Sequence, residues 1–337
     1  MGNLRIGVIG VGAIGQEHAA RLHSKLSGST VTAICDINAE NAKKTADKYG
    51  VRVEPDMHAV INSKDVDAVV VSCFDGAHAE AVLAAIVIGK PVFCEKPMAT
   101  KQEDCKKIVD AEIAFGKKLV QVGFQRRYDK GYLQLKDALD SGKLGAPLLV
   151  HAAHRNASVG ANYDTSYAVY STAIHEIDAL HWLINDEYET AQVIMPGFTR
   201  HTKPDFLKDP QLMLLRTKKG VVIDLEVFVN CRYGYDIQCE IVCEDAIIKL
   251  PEPSFPTIRK DAMLTQQLET DWKLRFIEAY DIEMQDWIDS TLKGEVNGPT
   301  AWDGYVASVT ADALVQSQKT GEVVKITTGE TPKFYVK

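Results

Sequence analysis

Disulfide chemistry has little to work with in this chain. The seven cysteines (Cys35, Cys73, Cys94, Cys105, Cys231, Cys239, Cys243) are odd in number, scattered, and contain no CxxC pair. That argues against a disulfide framework or a thiolate metal cluster, and leaves structural thiols in a reducing, cytoplasmic setting as the expectation. Long apolar runs are also missing. Stretches such as Ala81–Ile88 fall well short of the roughly 20 residues a membrane-spanning helix needs. The opening MGNLRIGVIG has no basic region leading into an apolar core and a small-residue cleavage site, so export is not expected. Excess positive charge is lacking too. Lys and Arg total 38 against 46 Asp and Glu, a net charge of −8 that argues against nucleic acid or an anionic membrane as the partner. Internal repeats, low-complexity tracts and a flexible Pro/Gly/Ser linker are likewise not found, so any domains should pack closely.

What is there is an ordinary globular composition, 46% apolar and 25% charged over 337 residues, a length that points to two domains. From the start, strand-like runs alternate with helical ones: Arg5–Gly10, Ile14–Leu26, Thr30–Asp36, Ala39–Tyr49, Asp67–Ser72, Ala77–Gly89, Pro91–Glu95, Glu103–Phe115 and Lys118–Phe124. This grammar predicts an α/β domain over residues 1–124, a Rossmann-type doubly wound parallel sheet with right-handed crossovers. After about residue 125 longer strands with period-two alternation appear. In Asp236–Cys243 the residues Ile237, Cys239, Ile241 and Cys243 share one face and Asp236, Gln238 and Glu240 the other, and Val221–Val229 alternates similarly. Residues 125–337 are therefore expected to form an α+β domain on an open-faced, mostly antiparallel sheet, whose outer face is a natural oligomer contact.

The first strand empties into Gly10-Val11-Gly12-Ala13-Ile14-Gly15, and a helix starts directly behind it. Gly10 permits the tight turn, Gly12 lets a pyrophosphate approach the backbone, and Gly15 allows close helix–strand packing. Ala13 and Ile14 lie where the helix N-terminus presents free N–H groups to an anion. Asp36 follows 21 residues after Gly15, at the end of the second strand. A carboxylate there accepts hydrogen bonds from ribose hydroxyls and repels a 2′-phosphate, and the neighbouring Ile37 offers no compensating charge. NAD is thus favoured over NADP. The plainer reading makes Asp36 a turn residue or the cap of the next helix.

Cys94-Glu95-Lys96-Pro97 stands at the carboxyl edge of the sheet, where open α/β folds bind ligands. The Lys96 ammonium can stabilise negative charge on a substrate oxygen as hydride leaves the carbon; on position alone it is equally a surface lysine. In the helical segment 171–182, the spacing places Ser171, His175, Asp178 and Trp182 on one face, so His175 can take a hydroxyl proton while Asp178 orients it. A lone helix histidine is more often structural. Ala179 stands where a HExxH zinc site needs its second histidine, so no metal is expected.

These segments, with Gly123-Phe124-Gln125-Arg126-Arg127-Tyr128-Asp129, His154-Arg155-Asn156, Tyr233-Gly234-Tyr235-Asp236 and Gly298-Pro299-Thr300-Ala301-Trp302-Asp303-Gly304-Tyr305, resemble the Gfo/Idh/MocA oxidoreductase family over nearly the whole chain. The inositol dehydrogenases are its most similar branch. The resemblance implies NAD-dependent oxidation of an inositol ring hydroxyl to a ketone, with Lys96 and His175 catalytic and Glu95 and Lys96 beside the cofactor. It implies substrate contacts from Arg126, His154, Asn156, Ser171 and one of Tyr233 or Tyr235. A cis Lys96–Pro97 bond and a tetramer built through the second-domain sheets are further implications. Two positions depart from the family pattern: Ser171 replaces a carboxylate four residues before the histidine, and Gln125 replaces a frequent methionine. Other polyol dehydrogenation, non-catalytic NAD sensing and NAD-dependent glycoside cleavage remain alternatives on the same fold.

Overall fold

The computed structural model describes residues 2–203 and 205–336. The elements begin with β1 (Leu4–Ile9), α1 (Ala13–Ala20), β2 (Ser29–Cys35), α2 (Ala39–Tyr49), β3 (Arg52–Val53), α3 (Met57–Asn62), β4 (Ala68–Val71), α4 (His78–Val87), β5 (Val92–Glu95), α5 (Gln102–Phe115) and β6 (Val120–Gly123). They continue with α6 (Lys130–Asp140), β7 (Pro147–Arg155), α7 (Ile174–Ile184), β8 (Tyr188–Ile194), β9 (Gln211–Thr217), β10 (Val222–Phe228), β11 (Asp236–Cys243) and β12 (Ile247–Lys249). The last are β13 (Thr257–Lys260), β14 (Met263–Gln266), α8 (Trp272–Lys293), α9 (Ala301–Thr320) and β15 (Val324–Lys325).

Two compact units result. One comprises the chain up to Phe124, Tyr280–Ser308 and the chain from Thr328; the other comprises Gln125–Ala279 and Val309–Thr327. The stretches Tyr280–Ser308 and from Thr328, which the sequence pattern assigns to the second domain, therefore group with the first. The cause is apolar. Met284, Trp287 and Ile288 of α8 join one buried cluster with Ile6, Val8, Leu22 and Phe93, and Trp287 meets Phe93 edge-on at 5.8 Å. Each such side chain contributes roughly 1.5–3 kcal/mol on burial.

In the first unit the six strands are ordered β3-β2-β1-β4-β5-β6 and all pair in parallel. Helices connect successive strands, so the central ones are covered on both faces and read as unbroken apolar runs, AVVV in β4 being wholly buried. The order reverses between β1 and β4, which makes the carboxyl ends of the strands the binding edge. β1 delivers Gly10 to that edge and β5 delivers Glu95 and Lys96.

In the second unit seven strands are ordered β12-β11-β7-β10-β9-β8-β15, with β7–β10 parallel and every other pair antiparallel. Buried and half-buried positions alternate strictly along β10 and β11, as period-two patterning requires of a sheet with one face in the core. The segment 171–182 is not one regular α-helix. Ala168–Ala173 forms a π-helical turn and α7 begins only at Ile174. Ser171 thus precedes the 3.6-residue register that governs His175, Asp178 and Trp182, and the common face inferred from spacing does not extend to it.

Candidate active site

The glycine loop is built as its sequence demands. Gly10 adopts φ +87°, and a Cβ there would fall 2.3 Å from Cys73 Cα. A Cβ on Gly15 would lie 2.1 Å from the Gly10 carbonyl oxygen. Gly12 is different: a Cβ placed on it meets no protein atom within 4 Å, so the glycine keeps clear a space outside the protein's own packing. α1 starts at the exposed Ala13 and half-buried Ile14, with no side-chain cap and no acid in its first turn. An open cradle at an uncapped helix N-terminus fits a dinucleotide pyrophosphate.

Asp36 is fastened to that loop. Its Oδ2 accepts the Val11 N–H at 2.6 Å and its Oδ1 accepts the Asn38 N–H at 2.7 Å, and each oxygen retains a further lone pair. Asn38, not Asp36, caps α2, accepting the Glu40 and Asn41 amides. Ile37 is fully exposed beside it.

At the end of β5 the Lys96–Pro97 bond is cis and Lys96 is half-buried. Glu95 is 5% exposed; its Oε1 accepts from His18 Nε2 at 2.7 Å and its Oε2 from the Lys96 N–H at 3.1 Å. The expected cofactor contact by Glu95 meets a side chain turned inward. Cys35 and Cys73 flank the loop, and burial pushes their thiols up to about 12 and about 11, out of thiolate chemistry.

In the second unit the residues of four motifs meet. Arg126 is 1% exposed and pairs with Glu176; its Nη1 also donates to the Tyr132 hydroxyl at 3.1 Å. His154 Nδ1 lies 2.8 Å from Glu176 Oε2 and 3.1 Å from Arg126 Nη2, and the shorter contact assigns its proton to Nδ1, donating to the carboxylate. The His154 ring stands 6.3 Å from that of His175 and edge-on to Tyr235 at 5.6 Å. Burial pushes the Tyr132 and Tyr235 hydroxyls above their ordinary range. Burial opposes the Arg126 charge most strongly, but Glu176 together with the Tyr132 and Tyr235 hydroxyls outweighs it and keeps the guanidinium protonated.

Of the two tyrosines left open by the sequence, Tyr235 belongs to this cluster. Tyr233 is 50% exposed and donates to Asp236 at 2.7 Å. Asp178 is 2% exposed and accepts two hydrogen bonds from Arg127, at 2.5 and 2.8 Å. Asn156 ties the loop after β7 through backbone bonds to Phe228 and Cys231. Ser171 bonds the Tyr163 hydroxyl, which burial pushes above its usual range. Sequence reasoning missed Glu176, Tyr132, Arg127 and His18. A charged residue inside an apolar helical pattern, as Glu176 is in Ile174-His175-Glu176-Ile177, is the available signal for the first.

Comparison with known proteins gives a consistent result. The description "Oxidoreductase family, NAD-binding Rossmann fold" of Gfo/Idh/MocA matches residues 4–124, and its C-terminal alpha/beta domain matches residues 136–326. The chain is 54% identical over 335 residues to an inositol 2-dehydrogenase of Klebsiella pneumoniae, covering 99% of each. It is 54% identical over 334 residues to one of Azotobacter vinelandii, covering 98% of each. A crystal structure of myo-inositol dehydrogenase from Lactobacillus casei, in complex with NAD(H) and myo-inositol, superposes with a TM-score of 0.97 at 43% identity, over 99% of this chain and 100% of that one. The parallel sheet with its glycine loop, the mixed sheet and these matches agree: the chain belongs to the Gfo/Idh/MocA family of oxidoreductases and carries that family's NAD-binding Rossmann domain.

Proposed function

We propose that this protein is an NAD-dependent dehydrogenase that oxidises one ring hydroxyl of an inositol to a ketone. Its full-length likeness to inositol 2-dehydrogenases carries the reading. Gly10, Gly12, Gly15 and Asp36 hold the dinucleotide, which when bound accepts the hydride. Lys96 bonds the reacting hydroxyl and stabilises negative charge on its oxygen, and His175 takes the proton. His154 and Tyr235 contact other hydroxyls. Arg126 acts through Glu176, which joins it to His154, because its guanidinium is committed to Glu176 and Tyr132. Asp178, held by Arg127, supports the helix that carries His175. We infer further a cytoplasmic homotetramer assembled through the half-buried face of the second-unit sheet. NADH absorbance on mixing with NAD and a panel of inositol isomers and hexoses tests the activity; no NADH from any inositol would refute it.

Cofactor choice gives a first expected outcome. NAD should be used far better than NADP, since Asp36 would face the 2′-phosphate with a fixed negative charge. Exchanging Asp36→Ser together with Ile37→Arg should narrow the gap in kcat/KM by at least about tenfold, roughly 1.4 kcal/mol. Comparable kcat/KM for the two cofactors in the unmodified protein would contradict the role of Asp36.

A second reading, preference for a different inositol isomer or another polyol, is favoured by Ser171. A carboxylate at this position would add a negative charge one turn before His175 and an acceptor for a substrate hydroxyl; the serine here is neutral and engages Tyr163 instead. Ser171→Asp should reorder the isomers by at least about tenfold in kcat/KM, or roughly 1.4 kcal/mol. A uniform change across all isomers would remove Ser171 from substrate selection.

A further inference from the structure

His18 lies in α1, on the turn that follows the glycine loop, and is 0% exposed. Its ring is held edge-on by Phe93 at 5.6 Å and Tyr280 at 6.0 Å, with Nε2 aimed at Glu95 and Nδ1 making no hydrogen bond among the described residues. The room Glu95 needs is provided by a glycine: a Cβ at Gly123 would press within 3.2 Å of its carboxylate. An interior of this kind would be filled more cheaply by apolar side chains. A buried carboxylate costs several kcal/mol unless it is paired, and a hydrogen-bonded histidine and one amide return only part of that. The pair is therefore poorly explained as packing.

What it does accomplish is geometric and electrostatic. Glu95 Oε1 is fixed from α1 by His18, and its Oε2 fixes the backbone N–H of Lys96. Burial alone would push the Glu95 carboxyl up, but the His18 hydrogen bond and the neighbouring charges of His18 and Lys96 hold it below its ordinary value. The carboxylate is thus an anion whose charge is felt by Lys96, the lysine the proposed reaction uses.

We propose that His18 and Glu95 are a positioning pair for Lys96: the histidine locks the carboxylate, and the carboxylate locks the Lys96 backbone and serves as counter-charge to its ammonium. The same helix that opens at the cofactor cradle then sets the stance of the catalytic lysine, so cofactor binding and proton chemistry share one rigid support. Neither residue touches substrate. This inference rests on the reading that Lys96 is catalytic.

The test compares His18→Leu, which fills space without a donor, His18→Gln, which keeps a donor, Glu95→Gln, which keeps shape without charge, and Lys96→Ala. For each, kcat, the NADH dissociation constant, the melting temperature and the isotope effect with ring-deuterated myo-inositol are measured. His18→Leu and Glu95→Gln should lower kcat by about 10²-fold, the cost of a slightly misplaced catalytic group, and raise the isotope effect as hydride transfer becomes limiting. NADH affinity should stay within about threefold, and His18→Gln should retain kcat within about fivefold of the unmodified enzyme. Equal losses for His18→Leu and His18→Gln would overturn the proposal in favour of packing, as would unchanged kcat in folded Glu95→Gln. If His18→Leu fails to fold, Glu95→Gln decides. An active Lys96→Ala would instead overturn the role of Lys96 itself, and is recognised by being independent of the His18 results.

Discussion

Lys96→Ala should lower kcat by roughly 10²–10⁴-fold, the usual worth of a positioned acid or base, while NADH still binds. The glycine loop is held by its own turn, by Gly15 against the Gly10 carbonyl, and by Asp36 on the Val11 amide. The loss should therefore appear in kcat and leave the NADH dissociation constant nearly unchanged. His175→Ala should behave alike, with a loss of the same order. The half-buried His175 ring is a neighbour of His154, and its removal leaves the Arg126–Glu176–His154 bonds in place. Stopped-flow and steady-state NADH formation, with fluorescence titration of NADH, separate binding from chemistry. Near-normal turnover in either folded, NADH-binding variant would exclude that residue from catalysis. Absence of turnover in the unmodified protein, with tight NADH binding, would point to an NAD sensor on an oxidoreductase fold.

Features enforced by the local backbone are legible in the amino-acid sequence. The GxGxxG turn needs glycine at Gly10 and Gly15 because any Cβ there collides with the chain, and such a constraint is written directly into the sequence. The alternation of Asp236–Cys243 predicts a strand with the same ends that the fold shows. Features set by contacts between distant segments are not legible in this way. α8 shows one continuous helical pattern, and only packing of Met284, Trp287 and Ile288 into the first-unit core assigns its part from Tyr280 onward to the first unit. His18 and Glu95 are 77 residues apart, and a histidine inside a helix gives no sign of its partner. Tyr233 and Tyr235 differ in burial by virtue of where the chain turns before β11, with Gly234 at φ +156° between them. The π-helical turn before α7 is invisible for a similar reason: an inserted residue leaves the apolar spacing almost unchanged while shifting the face that Ser171 presents.

The buried Arg126–Glu176 pair makes the strongest stability prediction. Both side chains are closed to solvent, and the guanidinium also stands over the rings of Phe276 at 5.1 Å and Tyr132 at 5.9 Å. Removing one charge strands the other in a medium that solvates it poorly. Glu176→Ala should therefore cost about 3–5 kcal/mol, because Arg126 cannot shed its proton as a buried lysine can. For a unit of this size that is a fall in melting temperature of roughly 10 °C. Arg126→Met should cost about as much, leaving Glu176 with His154 alone. The double change Arg126→Met with Glu176→Leu should be less destabilising than either single change, since it removes both charges together. It should not restore full stability, because the Tyr132 hydroxyl and His154 Nδ1 each lose a partner, at about 1–3 kcal/mol apiece. Thermal melts of the four proteins at one pH close the cycle. Additive losses, with the double variant as unstable as the sum of the singles, would mean that the pair contributes as separate packing groups and that its charges are not coupled.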